Sequence, residues 1–234
     1  MWYGAAEMGL RQRKKQQTRQ LIAEAAWRLF ADRGFDQVTV AQVAGQAQVA
    51  VATVFNYFPT KEDLFYSRLE AFEAQLVDAV ADRPAGEPAL AAFRGALLDT
   101  GGLLAQVEAG DRTALERLQT VNRVIADSPS LLAREHQAMA DTAGALAAQL
   151  AADTGAPPGG VDAQVAANAL VGVHRALVDY TRRRVLADQE PTRIAADVRD
   201  LARHAFALLE HGLADYAPKP APTGPPATKG QGAN

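Results

Sequence analysis

Residues 50–57, AVATVFNY, combine one amide with small apolar side chains in a spacing that suits the reading of base edges. The amide of Asn56 can form two hydrogen bonds with the edge of an adenine. The methyl groups of Val51, Ala52 and Thr53 can contact the methyl group of thymine. A helix with this composition would favour A·T base pairs over guanine-rich ones.

Helical spacing divides this segment into two faces. Val54 and Phe58 lie four residues apart on one face and are expected to pack against neighbouring helices. Val51 and Phe55 lie on another face, which is expected to be exposed. The alternative is that the whole apolar segment belongs to the core.

A run of positive charge near the N-terminus could supply contacts to phosphate. No acidic residue lies between positions 8 and 23, although the whole chain carries a net charge of −3. Such a run suits nucleic acid, but it is also typical of a solvated helix face. Its candidate phosphate contacts are Arg11, Arg13, Lys14 and Lys15.

The composition is that of an ordinary folded protein. The chain has 234 residues, of which 48% are hydrophobic and 22% charged. Cysteine is absent, which excludes a disulfide scaffold, thiolate zinc sites and a cysteine nucleophile. No apolar run approaches the roughly 18 residues that cross a bilayer, and no secretory signal begins the chain. These features predict a cytoplasmic protein without a membrane segment.

The elements that would position these side chains are helices. Apolar residues recur at helical spacing through most of the chain, and Gly, Pro, Thr and Asp mark the ends of the segments. No convincing strand pattern occurs, so the sequence predicts an all-α fold. The nine predicted helices cover 12–33, 39–48, 50–57, 61–82, 89–108, 111–126, 129–153, 161–187 and 192–214.

Two short helices joined by a tight turn, after a basic first helix, form a helix-turn-helix pattern. The order of residues from 18 to 65 resembles the TetR-type (TetR/AcrR) family of bacterial transcription regulators. The residues that carry the resemblance are Thr18-Arg19, Ala25-Ala26, Leu29-Phe30, Gly34-Phe35, Thr39-Val40, Val43-Ala44, Val49, Phe55, Tyr57-Phe58 and Lys61.

This resemblance implies a sequence-specific DNA-binding regulator, most often a repressor that a small-molecule effector releases from double-stranded operator DNA. It also implies an N-terminal helix-turn-helix domain followed by a helical ligand-binding and dimerisation domain. The predicted organisation is a flexible N-terminus at 1–10, a DNA-binding domain at 11–60 with its motif at 39–58, a C-terminal domain at 61–216 and a disordered tail at 217–234.

The chain departs from the family pattern at two positions. Gln48 stands in the turn where the family often has glycine, and Ala50 opens the recognition helix where the family often has serine or threonine. A glycine in the turn and a side-chain cap at the start of the helix would each add about 1 kcal/mol to the stability, and this chain has neither. A phosphate contact made by the missing hydroxyl is lost as well.

The predicted DNA contacts divide into two groups. Phosphates are expected to meet the hydroxyls of Thr39 and Tyr57, the amine of Lys61 and the basic run. For Thr39 the alternative is an ordinary helix cap, and for Tyr57 it is a core aromatic residue. The full predicted set is Thr39, Ala50, Val51, Ala52, Thr53, Phe55, Asn56, Tyr57, Lys61, Arg11, Arg13, Lys14 and Lys15.

A homodimer through the last two helices is expected, because one helix-turn-helix unit makes few contacts alone. The alternative is that their apolar faces only build an intramolecular bundle. The apolar stripe is Ile194, Val198, Leu201, Ala205, Leu208 and Gly212, and the small residues that allow close helix approach are Ala166, Ala169, Gly172 and Ala176.

An effector cavity is expected among the middle helices, where a ligand could tilt the predicted long helix 61–82. For each single residue the alternative is simple core packing. The predicted effector contacts are Phe93, Leu97, Leu104, Gln119, Asn122, Arg123, His136, Met139 and His174, with Leu118 and Leu146 as further wall residues.

Two other classes of function remain as alternatives. A helical adaptor would explain the C-terminal helices but not the basic first helix or the helix-turn-helix pattern. A metal-binding enzyme would rest on Asp200, His204 and His211, which share a helix face without an established ligand spacing. Since no catalytic motif occurs, we predict no enzyme activity, no cofactor and no metal.

Overall fold

The computed structural model describes residues 3–67, 69–98 and 103–212, without the side chains of 3–11, 70, 103 and 104. These residues form helices and no strand, so the predicted all-α class is confirmed. The predicted tail 217–234 lies outside the described residues. The eleven helices of the described part are α1 (Tyr3–Arg33), α2 (Val40–Gln46), α3 (Val51–Tyr57), α4 (Lys61–Tyr66), α5 (Glu70–Ala81), α6 (Ala89–Leu97), α7 (Leu103–Glu108), α8 (Arg112–Ala126), α9 (Pro129–Thr154), α10 (Val161–Leu186) and α11 (Pro191–His211).

Helix α1 begins at Tyr3 rather than at residue 12, so the predicted flexible N-terminus is helical from Tyr3 onward. The added segment contains Ala, Glu, Met and Leu and lacks proline, and these residues favour helix. The helix stops before Gly34, whose φ of +78° lies in the left-handed region that glycine adopts easily.

The helix-turn-helix forms as the sequence predicts, including its two departures. Thr39 caps α2 in a capping box, because its side chain accepts from the Gln42 amide while the Gln42 side chain accepts from Thr39. Gln48 adopts a left-handed φ of +56° in the turn. Ala50 precedes α3 without any side-chain cap.

The predicted long helix 61–82 is wrong, because the chain divides it into α4 and α5. The Ser67 hydroxyl donates to the carbonyl of Leu64 at 3.1 Å, and the Leu69 amide donates to the carbonyl of Tyr66 at 2.7 Å. Serine competes in this way for carbonyls that a continuing helix would use. Leu64, Phe65 and Tyr66 are all buried, so α4 is enclosed on more than one face.

The predicted helix 89–108 is also wrong, because α6 and α7 replace it. The interval between the two helices contains Gly101 and Gly102, and glycine is a poor helix former. These two extra breaks explain why the described residues hold eleven helices and the sequence predicted nine.

Helices α8 and α9 join the N-terminal helices to the rest of the protein. Val124, Ile125, Leu131 and Ala138 from these two helices belong to the same buried cluster as Phe30, Val54 and Phe65. The second cluster is built by α5 to α11, with α10 packed between α9 and α11. The N-terminal helices α1 to α4 thus share their core with two helices of the C-terminal part, and the predicted domain boundaries stay a prediction.

The predicted dimerisation stripe divides between the interior and the surface. Ile194 and Val198 are buried within the protomer, so for these two residues the intramolecular alternative is correct. Leu201 is exposed, and Ala205 and Leu208 are half-buried. On α10, Ala166, Gly172 and Ala176 are exposed and Ala169 is half-buried, and Val161 and Val165 extend this exposed face.

None of the described helices is both long enough and apolar enough to span a bilayer.

Candidate nucleic-acid interface and interior cavity

Helix α3 presents an apolar face to solvent. Val51 is 40% exposed and Phe55 47% exposed, whereas Val54 and Phe58 are almost completely buried. The two faces therefore lie as the helical spacing predicted, and the segment is not wholly core. Ala52 and Asn56 are exposed beside this face.

The other predicted DNA contacts around α3 differ in exposure. Thr39 and Ala50 are exposed at the starts of α2 and α3. Thr53 and Tyr57 are half-buried, and Tyr57 packs against the N-terminal core. Tyr57 therefore contributes to packing, and a contact of its hydroxyl with phosphate stays a prediction.

Lys61 is held against the N-terminal core. Its Nζ lies 4.2 Å from the centroid of the Phe35 ring. Partial burial lowers the pKa of Lys61, and the nearby charges of Asp36 and Glu62 oppose this shift. The amine is fixed in the first turn of α4, where a phosphate would also relieve its unfavourable position at a helix N-terminus.

The basic run lies on α1. Arg13, Lys14 and Lys15 are exposed, and the side chain of Arg11 lies outside the described residues. Arg19 belongs to the same run but was not among the predicted contacts. Its guanidinium lies 4.9 Å from the centroid of the Phe58 ring, directly after α3. This contact joins the basic run to the buried side of the α3 end.

Residues 22–67 match the family described as bacterial regulatory proteins, tetR family. Residues 22–67 form a TetR-type helix-turn-helix domain. The resemblance predicted from residues 18–65 is therefore confirmed, and helices α1 to α4 are the helices of this domain.

Known relatives of the chain carry regulator names. It is 32% identical over 149 residues to the HTH-type transcriptional regulator TcmR of Streptomyces glaucescens, covering 63% of this chain and 65% of TcmR. It is 54% identical over 46 residues to the HTH-type transcriptional regulator LuxR of Vibrio harveyi, covering 20% of this chain and 22% of LuxR. The chain thus spans less than two thirds of the length of these curated relatives.

A solved structure shares the fold beyond the TetR-type domain. It is NalD, described as the secondary repressor of the MexAB-OprM multidrug efflux pump in Pseudomonas aeruginosa. The TM-score is 0.50 at 19% identity, over 82% of this chain and 96% of NalD. At this identity the likeness concerns the fold alone.

A cavity of about 350 Å³ lies among helices α5 to α11, and Tyr66 of α4 reaches its wall from the TetR-type domain. Most of its wall is apolar, with side chains such as Leu69, Phe72, Leu118 and Leu177. Nine described polar side chains interrupt this wall. They are Tyr66, Glu73, Arg117, Asn122, Glu135, His174, Thr181, Arg182 and Arg199.

The predicted effector contacts are only partly at this cavity. Leu97, Asn122, Met139 and His174 line it, as does Leu118. The side chain of Leu104 lies outside the described residues. The predicted contacts that do not line the cavity are Phe93, Gln119, Arg123, His136 and Leu146.

Each of these misplaced residues has another position in the fold. Phe93 packs against Phe206 with ring centroids 6.3 Å apart, and Leu146 is buried in the C-terminal core. Arg123 pairs with Asp188 at 2.7 Å on the surface. Gln119 is half-buried and His136 exposed, each on a helix face away from the cavity wall.

His174 is the buried histidine of the cavity wall. It is 8% exposed, and its ring meets that of Phe72 edge to face at 5.7 Å between centroids. Burial lowers its pKa to about 4. The imidazole is therefore uncharged near neutral pH.

The most buried charged side chains of the cavity wall, Arg182 and Glu135, were not among the residues predicted from the sequence. Arg182 of α10 donates two hydrogen bonds to the carboxylate of Glu135 of α9, at 2.8 and 2.5 Å. The two residues are 47 positions apart, so no local spacing could predict their pairing.

The suggested metal grouping does not form within the described residues. There, no three His, Cys, Asp or Glu side chains come together in a way that could hold a metal ion. Asp200 pairs instead with Arg203, and Nδ1 of His211 lies 2.7 Å from the carbonyl of Ala207.

Proposed function

We propose that the protein is a sequence-specific transcriptional regulator of the TetR type, a cytoplasmic repressor that a small-molecule effector releases from operator DNA. The observation that carries this proposal is the exposed face of α3 within the TetR-type domain. Val51, Phe55 and Asn56 combine apolar and amide groups there, which suits direct contact with base edges in a major groove. The names of the curated relatives support a regulator rather than an enzyme.

A homodimer is part of this proposal. Two protomers would place two α3 helices on two half-sites of one operator. The exposed small residues Gly172 and Ala176 of α10, together with Leu201 of α11, provide a surface that a second copy can approach closely. Ile194 and Val198 are excluded from this surface because they are buried.

The cavity suits the proposed effector because most of its wall is apolar, with polar side chains at separate points of the wall. Its link to the DNA-binding side is the short helix α4. Lys61 begins this helix near α3, and Tyr66 ends it in the cavity wall. Between them, Asp63 closes the capping box with Thr60 and pairs with Arg134 of α9 at 3.2 Å. A ligand that moved Tyr66 would therefore act on α4 and on its N-terminal contacts.

The test of this function is the salt dependence of DNA binding. On a duplex that holds the operator, the logarithm of the binding constant should fall linearly with the logarithm of salt concentration. The expected slope is about −0.9 for each phosphate neutralised. Fluorescence anisotropy at several salt concentrations measures it, and binding that ignores salt would contradict the proposal.

Asn56→Ala and Lys61→Met should affect DNA binding differently. Asn56→Ala should weaken operator binding by about 1–3 kcal/mol and relax the preference for one adenine. Lys61→Met keeps an alkyl stem over Phe35, removes the charge, and should weaken all duplexes alike while reducing the salt slope by about one unit.

The measurement is a titration of operator and random duplexes with each variant. Lys61→Arg, which retains the charge, and Gln137→Ala, which removes an exposed amide on α9, are the matched controls. If Asn56→Ala preferred the operator over random DNA as strongly as the unaltered protein does, Asn56 would not be the residue that recognises the adenine.

A further inference from the structure

The cavity contains a buried polar cluster at the junction of α4, α9 and α10. Glu135 is 6% exposed and Arg182 is 9% exposed, and their two hydrogen bonds neutralise both charges. Tyr66 is 1% exposed and lies close enough to both residues to feel their charges. All three side chains line the cavity.

Two polar atoms of this cluster lack a hydrogen-bond partner of ordinary geometry among the described residues, although the Glu135 carboxylate lies close enough to Tyr66 for a weak hydrogen bond. They are the hydroxyl oxygen of Tyr66 and Nε of Arg182, and both are buried. A buried polar group without a partner is costly, and nearly all such groups in folded proteins find a partner in protein, water or ligand. The Nε–H group can only donate, so its missing partner is a hydrogen-bond acceptor.

The Tyr66 hydroxyl is the second donor of this cluster. Burial and the neighbouring Glu135 carboxylate raise the pKa of Tyr66 above its usual range. The hydroxyl therefore keeps its proton under all ordinary conditions.

The cavity offers no unpaired buried positive charge within the described residues. The charge of Arg182 is neutralised by Glu135, and Arg199 pairs with Glu108. Arg117 is exposed, and its charge is therefore solvated.

The remaining titratable groups of the wall do not favour an anion either. His174 is uncharged near neutral pH, and Glu73 adds a half-buried carboxylate. A ligand carboxylate would lose its hydration without gaining a free counter-charge, which disfavours the charged form.

We propose that the effector, whose existence rests on the proposed function, is an uncharged and largely apolar molecule with a carbonyl oxygen. This oxygen accepts hydrogen bonds from the Tyr66 hydroxyl and from Nε–H of Arg182. The apolar part of the molecule occupies the cavity between Leu69, Phe72 and Leu177. Tyr66 thus sets the preference of the cavity for a neutral carbonyl compound.

A matched set of fluorescent probes tests this inference on the full chain. The probes are a neutral (dimethylamino)naphthyl ketone, its carboxylic-acid analogue and the parent (dimethylamino)naphthalene without an acyl group. Fluorescence titration at neutral pH should give a Kd for the ketone about tenfold lower than for the acyl-free amine, since one or two added hydrogen bonds are worth about this factor. The carboxylate should bind at least tenfold more weakly than the ketone.

Tyr66→Phe should remove the preference for the ketone and leave the Kd of the acyl-free amine unchanged. The matched control is Tyr180→Phe, because the Tyr180 hydroxyl bonds Asp197 at 3.1 Å and does not line the cavity. Tyr180→Phe should bind the three probes in the same order of affinity as the unaltered protein. The inference would be overturned by tighter binding of the carboxylate, by equal binding of the ketone and the acyl-free amine, by absence of ketone binding, or by an unchanged preference in Tyr66→Phe.

The same titrations with operator DNA separate this inference from the proposed function. Ketone binding that depends on Tyr66 but leaves DNA affinity unchanged would contradict release by an effector and support the assignment of the cavity. DNA binding with the expected salt slope, but without discrimination among the probes, would overturn the cavity assignment alone.

Discussion

Arg182→Leu is expected to lower the free energy of unfolding by about 3–5 kcal/mol, because it leaves the buried charge of Glu135 without its partner. The pair connects α9 and α10 in the wall of the cavity, and both side chains are buried there. Urea denaturation followed by circular dichroism measures the loss.

The double variant Glu135→Leu/Arg182→Leu should recover most of this stability, since apolar side chains that replace both members of a buried pair cost little. Arg203→Leu, which breaks the exposed pair with Asp200, is the surface control and should cost less than about 1 kcal/mol. A double variant as unstable as Arg182→Leu would show that packing, rather than an unpaired charge, causes the loss.

Acid should destabilise the protein through His174 by roughly 3 kcal/mol, because each unit of pKa difference corresponds to about 1.4 kcal/mol. Burial lowers the pKa of His174 from 6.5 to about 4. Above pH 6.5 the imidazole is neutral in both the folded and the unfolded chain, so it adds no pH dependence. As the pH falls from 6.5 towards 4, only the unfolded chain binds the proton, and the folded state loses stability.

Denaturation of the parent and of His174→Gln across this pH range measures the effect. The difference in unfolding free energy between them should shift in favour of the variant as the pH falls. His136→Gln removes an exposed histidine from α9 and should follow the parent profile. If the unfolding free energies of the unaltered protein and of His174→Gln changed equally with pH, the buried imidazole would not be the source of the acid sensitivity.

The sequence predicts the TetR-type domain well because its signals are local. Thr39 with Gln42 forms the predicted cap, and the spacing of Val54 and Phe58 assigns the buried face of α3. The breaks in the helices are harder to predict. Apolar spacing continues through Ser67, so the sequence gives no sign that the helix ends there. The end is seen only in the structure, where the Ser67 hydroxyl bonds the carbonyl of Leu64 and α4 is buried on several sides.

The cavity is less predictable because its residues come from distant positions. Helical spacing identifies Met139 and His174 as inward-facing, but it cannot tell a cavity wall from a filled core. Phe93 illustrates this, since it is as apolar as the wall residues and packs against Phe206 instead. The pair of Glu135 and Arg182 depends on the packing of α9 against α10 and has no local sequence signal.

The apolar exposed face of α3 has a thermodynamic consequence. Val51 and Phe55 are about half exposed in the protein without DNA, and in the proposed complex they would leave water. Loss of hydrated apolar surface gives association a negative heat-capacity change. The enthalpy of operator binding would then become more favourable on warming. This heat-capacity change would persist at salt concentrations that screen the phosphate contacts. The exposed face of α3 would therefore make binding depend on temperature, and the basic run would make it depend on salt.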